Sequence, residues 1–412
     1  MKHYFLLVTI CVLLFWGCEK EAAPSIYNPN HIDAPAPVIA SITPVDSAQG
    51  GVDTLVISGS NFSAETGKNI VYVNATAATI YQSNKTQILV KAPRTEVGDS
   101  ALIRIAVQGA EKFSNGIYYK IQPAIIDYAE VTNPKLLGAN EFVKAVTTDS
   151  SGNVYVSVTL VSATGSSDLG IRKISPNGVM TTFAPPASGV SEVLPLKMGP
   201  DGSLYTIRSS RRIFRYNSAG TNSGTAWITL SPASVSITDF DFSTNKTLWA
   251  AGSNNPITNA TIYAILPNAT IKTFPFAASV RSVRVYNNYL YMSAQKDSVW
   301  GIWRAQLLAN DDLGTPELYF DFSAAFGLSV IPQGITFSAN GDLYIATNAP
   351  AGIVIVTPSN ISMVRYTDYS SLFGSFVRYL AWGNGTELYA VTNEGKFLKM
   401  YARAYSAPYY GQ

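Results

Sequence analysis

Histidine and cysteine are nearly absent from this 412-residue chain: it has two of each, His3, His31, Cys11 and Cys18. Everything after residue 31 therefore lacks the groups for a histidine metal site, a Ser-His-Asp triad or a cysteine nucleophile. No disulfide framework can be built there either. Charge is sparse too. Asp, Glu, Lys and Arg make up 14% of the residues, the formal net charge is +2, and no run of Lys or Arg occurs. The electrostatic footprint of a nucleic-acid binder is thus missing. The apolar run near the N-terminus, Tyr4 to Trp16, is 13 residues long, where a membrane-spanning helix needs about 20.

What the chain does contain is repetition. Six segments after residue 140 share one pattern: a short apolar strand, a turn of Asn, Gly, Asp or Ser, then a second strand carrying an aromatic residue. They are Thr148–Val158, Gly199–Ile207, Ser243–Ala251, Tyr286–Ala294, Ser338–Ala346 and Gly383–Val391. Their aromatics, Tyr155, Tyr205, Trp249, Tyr291, Tyr344 and Tyr389, are spaced 50, 44, 42, 53 and 45 residues apart. Several short strands in a unit of about 40 to 50 residues are the signature of a β-propeller. The six aromatics are expected in the core between blades. The sixth repeat runs out after three strands, so a distant segment must close the ring and remove its free edges. Ala124–Val131 is the expected fourth strand, with Ala402–Tyr409 as the competitor.

Residues 1–18 read as an export signal, with Lys2 ahead of the apolar run. Phe15-Trp16-Gly17-Cys18 resembles the lipobox of bacterial lipoproteins, which implies lipidation of Cys18 and attachment to a membrane without spanning it. Glu19-Lys20-Glu21 is similar to the short acidic tag of some surface lipoproteins of Gram-negative bacteria. That likeness implies an outer-membrane, lipid-anchored protein facing the cell exterior. Residues 19–36, rich in Pro, Ala and Asn, are expected to be a flexible tether.

From Pro37 the pattern changes to short alternating strands. Ile39, Ile42-Thr43-Pro44, Gly50-Gly51, Leu55, Ile57 and Gly59-Ser60-Asn61-Phe62 carry a resemblance to the IPT/TIG family of immunoglobulin-like domains, covering residues 37–121. Gly59-Ser60-Asn61 should form a tight turn that buries Phe62. The resemblance implies a spacer. Asp46-Ser47-Ala48, Asp53-Thr54-Leu55, Asp99-Ser100-Ala101 and Asp297-Ser298-Val299 look like the O-glycosylation acceptor of some exporting bacteria. In the repeats, DSSGNVYV followed by IRKISPNG (Ile171–Gly178) is similar to NHL-type propellers. The expected fold class is all-β: an immunoglobulin-like β-sandwich followed by a six-bladed β-propeller over residues 122–412.

One face of such a ring collects the loops joining the second and third strands and those passing to the next blade. On a rigid scaffold, function usually sits on such loops. The expected ligand-binding residues there are Arg208, Arg211, Asn254, Gln295, Trp300, Phe326 and Phe373, with Arg212, Asn255 and Lys296 beside them. Aromatic faces with amide and guanidinium donors suit the C–H faces and hydroxyls of sugar rings. Among carboxylates, Asp149, Asp201, Asp239, Asp241 and Asp342 sit at turns or strand starts. Only Asp239-Phe240-Asp241 forms a local pair with both groups on one side of a strand. The leading expectation is a non-catalytic surface module that captures a polysaccharide or oligosaccharide beside an outer-membrane transporter, with no cofactor or metal. A protein-interaction subunit of an outer-membrane complex is the alternative, and a carboxylate-based glycosidase or lyase the third.

Overall fold

The computed structural model describes residues 33–132, 135–186, 194–222, 224–254 and 256–411. The segment expected to be an export signal, Cys18 and most of the expected tether lie outside these residues. Residues Ala34 and Ala36 already lie against the first domain: the Ala34 N–H donates to Gly109 O (2.8 Å) and the Asn61 amide to Ala36 O (2.8 Å).

The first domain is a sandwich of two sheets. One sheet orders Val38–Thr43, Thr54–Ser60, Gln87–Lys91 and Ile80–Ser83. The other orders Ser47–Gly50, Ile117–Pro123, Gly98–Val107, Asn69–Val73 and Thr76–Ala77. Alternation along these strands sends Leu55, Ile57, Val71, Val73, Ile88, Val90, Ile103 and Ile105 into one core, as a half-buried strand requires. The expected Gly59–Asn61 turn is not formed as such: Gly59 and Ser60 are the last residues of Thr54–Ser60, paired with Ile39 and Val38, and the chain bends only at Asn61, with Phe62 buried after it. Asn61 holds φ at 62°, and a Cβ on Gly59 would lie 1.9 Å from Val38 O, so only glycine fits there.

Six four-stranded antiparallel sheets follow, the blades of a β-propeller. Blades 1 to 5 begin with the inner strands Glu141–Thr148, Leu196–Met198, Ile237–Phe242, Ser279–Tyr286 and Pro332–Phe337. Blade 6 begins with Val377–Trp382 and takes its outermost strand, Ile125–Asp127, from ahead of blade 1. The pairs Ile125↔Met400, Ile126↔Lys399 and Asp127↔Leu398 close the ring. Only three residues of Ala124–Val131 are strand, however; Tyr128–Val131 turn into a short helix. The rival segment, Ala402–Tyr409, instead crosses the face where first and second strands are joined.

The six repeat aromatics are all buried, each in a cluster shared with the next blade. Tyr155 packs with Leu196 and Leu204, and Tyr389 with Val143 and Val146. Four of them also pin their own turn. Tyr155 Oη donates to Asp149 (2.9 Å), Tyr205 Oη to Asp201 (3.2 Å), Tyr389 Oη to Glu387 (3.1 Å) and Trp249 Nε1 to Ser243 Oγ (3.3 Å). The repeat is legible because one residue supplies both the apolar wedge and the turn's hydrogen bond. Burial beside the carboxylate pushes the Tyr155 hydroxyl far above the ordinary tyrosine value.

The two domains meet without a linker, because Ile117–Pro123 of the sandwich runs directly into Ile125–Asp127 of the ring. Tyr369 Oη donates to Gly50 O (2.8 Å) and accepts from the Ala124 N–H (3.0 Å). Arg94 lies 4.4 Å over the Tyr369 ring. Lys91 pairs with Asp368 (2.7 Å) and Arg403 with Asp53 (2.7 Å). No helix among the described residues is long and apolar enough to cross a membrane.

Candidate functional site

The loop face holds the seven residues expected to bind ligand, but not all of them reach its surface. Phe373 is only 1% exposed. The four-residue helix Ser370–Phe373 folds it inward over the positive-φ Gly352, where even a Cβ would meet its ring at 2.3 Å. Trp300 is buried because the span Gln295–Trp300 is not a loop: it is the end of a regular hairpin turning at Asp297-Ser298. Its backbone N–H donates to Ser323 Oγ (2.9 Å) and Arg281 covers its ring at 5.6 Å. Asn254 is buried too, its amide donating to Asn259 O (2.8 Å) to close its own loop. These three side chains serve the scaffold, which corrects the expectation that they touch ligand. Asn255 lies outside the described residues.

The other four remain at or near the surface. Arg208 is half-buried with its guanidinium stacked over Phe214 (4.8 Å) and Tyr216 (5.2 Å). Burial holds it below the usual arginine range, and its Nε has no hydrogen-bond partner. Arg211 is fixed by donation to Leu230 O (2.8 Å), and Arg212 beside it is exposed. Gln295 is half-buried opposite Trp300. Phe326 is half-buried against Phe322, with ring centroids 4.8 Å apart.

A feature absent from the sequence reading is a β-bulge repeated at one level of the ring. Five of the six inner strands slip register near their loop-face ends, between Val143 and Ala145, Ile237 and Asp239, Val280 and Ser282, Pro332 and Ile335, and Val377 and Tyr379. The inserted residues are Lys144, Thr238, Arg281, Gln333 with Gly334, and Arg378. Bulges re-aim side chains and are common beside binding sites. Three of these residues, Lys144, Arg281 and Arg378, are cations, and none of the three is fully buried.

Below that level the channel holds a buried charge cluster. Asp239 accepts from Ser282 Oγ (2.6 Å), Val283 N (2.9 Å) and Phe240 N (2.9 Å), with Lys197 Nζ at 3.6 Å. Asp241 accepts from Val285 N (2.9 Å) and faces Arg284 at 3.5 Å. Arg284 also donates to Ile335 O (3.1 Å), linking blade 4 to blade 5. The one local carboxylate pair therefore spends its oxygens on the neighbouring inner strand. Burial, and then the Arg284 charge, push the Lys197 ammonium down to about 8. Among the described residues no group of three or more His, Cys, Asp or Glu is placed to hold a metal ion.

Comparison with solved structures places this architecture among proteins of very different sequence. An auxiliary nutrient binding protein from Bacteroides thetaiotaomicron is similar over 91% of this chain and 98% of its own, with 12% identity and a TM-score of 0.52. One of the same description from Bacteroides ovatus covers 91% of this chain and 99% of its own, at 11% identity and a TM-score of 0.49. A gluconolactonase from Xanthomonas campestris covers 74% of this chain and 90% of its own, at 9% identity and a TM-score of 0.49. At 12% identity the first of these likenesses speaks for the fold alone. No curated protein matches the chain. Residues 37–121 match the family described as IPT/TIG domain, so the sandwich is an IPT/TIG domain, set directly against a six-bladed β-propeller.

Proposed function

We propose that the protein is a lipid-anchored outer-membrane protein, held through Cys18 and facing the cell exterior, that captures a saccharide nutrient on its loop face without altering it. The observation that carries this reading is the repeated bulge, which sets Lys144, Arg281, Gln333 and Arg378 at one level around the channel mouth. Cations and an amide set at one level of the ring suit a polysaccharide or oligosaccharide, whose hydroxyls and acidic substituents need several donors at once. The spent carboxylates of Asp239 and Asp241 fit binding better than hydrolysis. The whole-chain likeness to a protein named for auxiliary nutrient binding supports the same reading.

Affinity electrophoresis of the purified full chain through gels cast with neutral and acidic polysaccharides tests it. At least one polysaccharide should retard the protein, and Arg281→Ala with Arg378→Ala should relieve that retardation. Free migration in every gel overturns the reading. A second reading, docking to an outer-membrane partner protein, is favoured by one observation: Leu328 is exposed on the loop that follows Phe326. It predicts co-purification with a barrel transporter that Leu328→Asp abolishes.

A further inference from the structure

The opposite face of the ring carries a cleft that the loop-face reading does not use. At five blades the first and second strands are joined by a turn closed across four residues, as in Asp149 N–H to Asn153 O (3.0 Å), Ser243 N–H to Thr247 O (2.9 Å) and Ser338 N–H to Asp342 O (2.9 Å). Blade 4 instead turns on two residues, Asn287 and Asn288, both with positive φ (45° and 63°), between the paired Tyr286 and Tyr289. That is the tight hairpin turn which an Asn pair favours. The rim therefore dips at blade 4.

The C-terminal segment bridges the dip. It leaves blade 6 and runs along blade 5, where Ala339 N–H donates to Tyr405 O (2.8 Å) and Ala407 N–H to Phe337 O (3.2 Å). At the centre Tyr409 Oη accepts from Phe337 N–H (2.9 Å), and Arg284 sits 4.6 Å over the Tyr409 ring. Past it, Tyr410 reaches blade 3, where its Oη lies 3.3 Å from both Ser243 O and Thr244 O. Between this strap and the low turn lies a cavity of about 750 Å³, inside the range of small-molecule sites, about 300–1,000 Å³.

Its walls are aromatic and uncharged. Phe242, Tyr286, Tyr409 and Tyr410 line it, with Asn287 and Thr244 exposed at its edge and no Asp, Glu, His, Lys or Arg among its lining residues. Tyr286 is held rigid by stacking on Phe337 at 4.3 Å and 7°, and Tyr410 by an edge contact with Phe242 at 6.0 Å. Fixed aromatic faces accept the C–H face of a pyranose, while a free amide and a hydroxyl serve its hydroxyls. A charged ligand would enter without a counter-charge, which is costly. We infer that this cleft is a second binding site, for an uncharged oligosaccharide, built by the C-terminal strap against the turns of blades 3 and 4.

Saturation-transfer NMR and calorimetry on the purified full chain test the inference, with maltohexaose, cellohexaose and xylohexaose as neutral probes and a galacturonic acid hexamer as the charged one. A neutral probe should bind, and the charged one should bind this cleft at least tenfold more weakly. Asn287→Gly keeps the turn and removes the amide; together with Tyr410→Ala it should weaken the neutral probe at least tenfold. Asn287→Asp, a change at an exposed position that tolerates positive φ, should weaken it as well. Neutral binding that is lost in Arg281→Ala with Arg378→Ala, yet kept in the Asn287 and Tyr410 variants, overturns the cleft and leaves the loop-face reading standing. The reverse pattern upholds the cleft. Absence of saturation by all three neutral probes overturns it as well.

Discussion

Lys197 offers the sharpest test of the channel's physics. It is 8% exposed on the short inner strand of blade 2, and its nearest countercharge is Asp239 at 3.6 Å. Burial and Arg284 together bring its ammonium from 10.5 to about 8. Because the folded lysine holds its proton less tightly than the unfolded one, the unfolded state binds more protons between those two values. Stability therefore rises with pH across that window, and below it the charged lysine is a constant burden. At about 1.4 kcal/mol per tenfold change in proton affinity, that burden is about 3 kcal/mol. Lys197→Met keeps the volume and removes the charge, and Asp239 retains its three donors from Ser282, Val283 and Phe240. The variant should be more stable than the parent by up to about 3 kcal/mol near pH 7, because the lowered ammonium value already sets the Asp239 attraction against burial and the Arg284 charge. The gain should shrink as pH rises above 8. Urea unfolding of both proteins between about pH 7 and pH 9.5 measures this, with other titrating groups cancelling in the difference. A variant less stable than its parent near neutrality, or a difference flat in pH, would refute the reasoning.

Three more outcomes are expected. Ile126→Pro should loosen ring closure: Tyr401 N–H donates to Ala124 O (3.0 Å), and ladder alternation then turns the Ile126 N–H onto Lys399. The loss should be about 1–3 kcal/mol, read as a lower melting temperature and faster proteolysis within blade 6. Tyr369→Phe should cost a similar amount, about 1–3 kcal/mol, by orphaning the buried Ala124 N–H, and should split calorimetric unfolding into separate sandwich and ring transitions. Phe373→Ala should destabilise by about 3–5 kcal/mol as a core truncation while leaving polysaccharide retardation unchanged under conditions where it stays folded.

The parts legible in the sequence are those in which local pattern and global role coincide. Tyr155 and its relatives are periodic because each blade needs the same wedge, and four of the six add a hydrogen bond to their own turn. The missing fourth strand of blade 6 could be counted, and Ile125–Asp127 had the only apolar pattern ahead of the ring to supply it. The loop face was harder. Whether Phe373 points out or in depends on Gly352, about twenty residues away in the bend before the strand Ile353–Val356, and no neighbouring residue signals it. Trp300 was expected on a loop because the alternation of Gln295–Trp300 is interrupted by Lys296-Asp297-Ser298, yet Asp297-Ser298 make a two-residue turn and the strands continue to either side of it. The bulges at Lys144, Arg281 and Arg378 leave no mark in composition, since a bulge is defined by the partner strand's register. The cleft was invisible for a related reason. One of its walls is the C-terminal segment, whose path over blades 5 and 3 is set by Tyr409 and Tyr410 finding backbone partners far away in the chain; the Asn287-Asn288 turn was its only local sign.

The direct passage from Ile117–Pro123 into Ile125–Asp127 has a mechanical consequence. A pull applied from the N-terminal side travels through the sandwich and reaches the ring at the outermost strand of blade 6, where it would peel three residue pairs one after another. Tyr369, Lys91 with Asp368, and Arg403 with Asp53 take up that force in parallel, from points before and after the strand. These contacts make the sandwich a strain relief for the ring's own clasp, so that tension tilts the two domains as one body before it can open the circle.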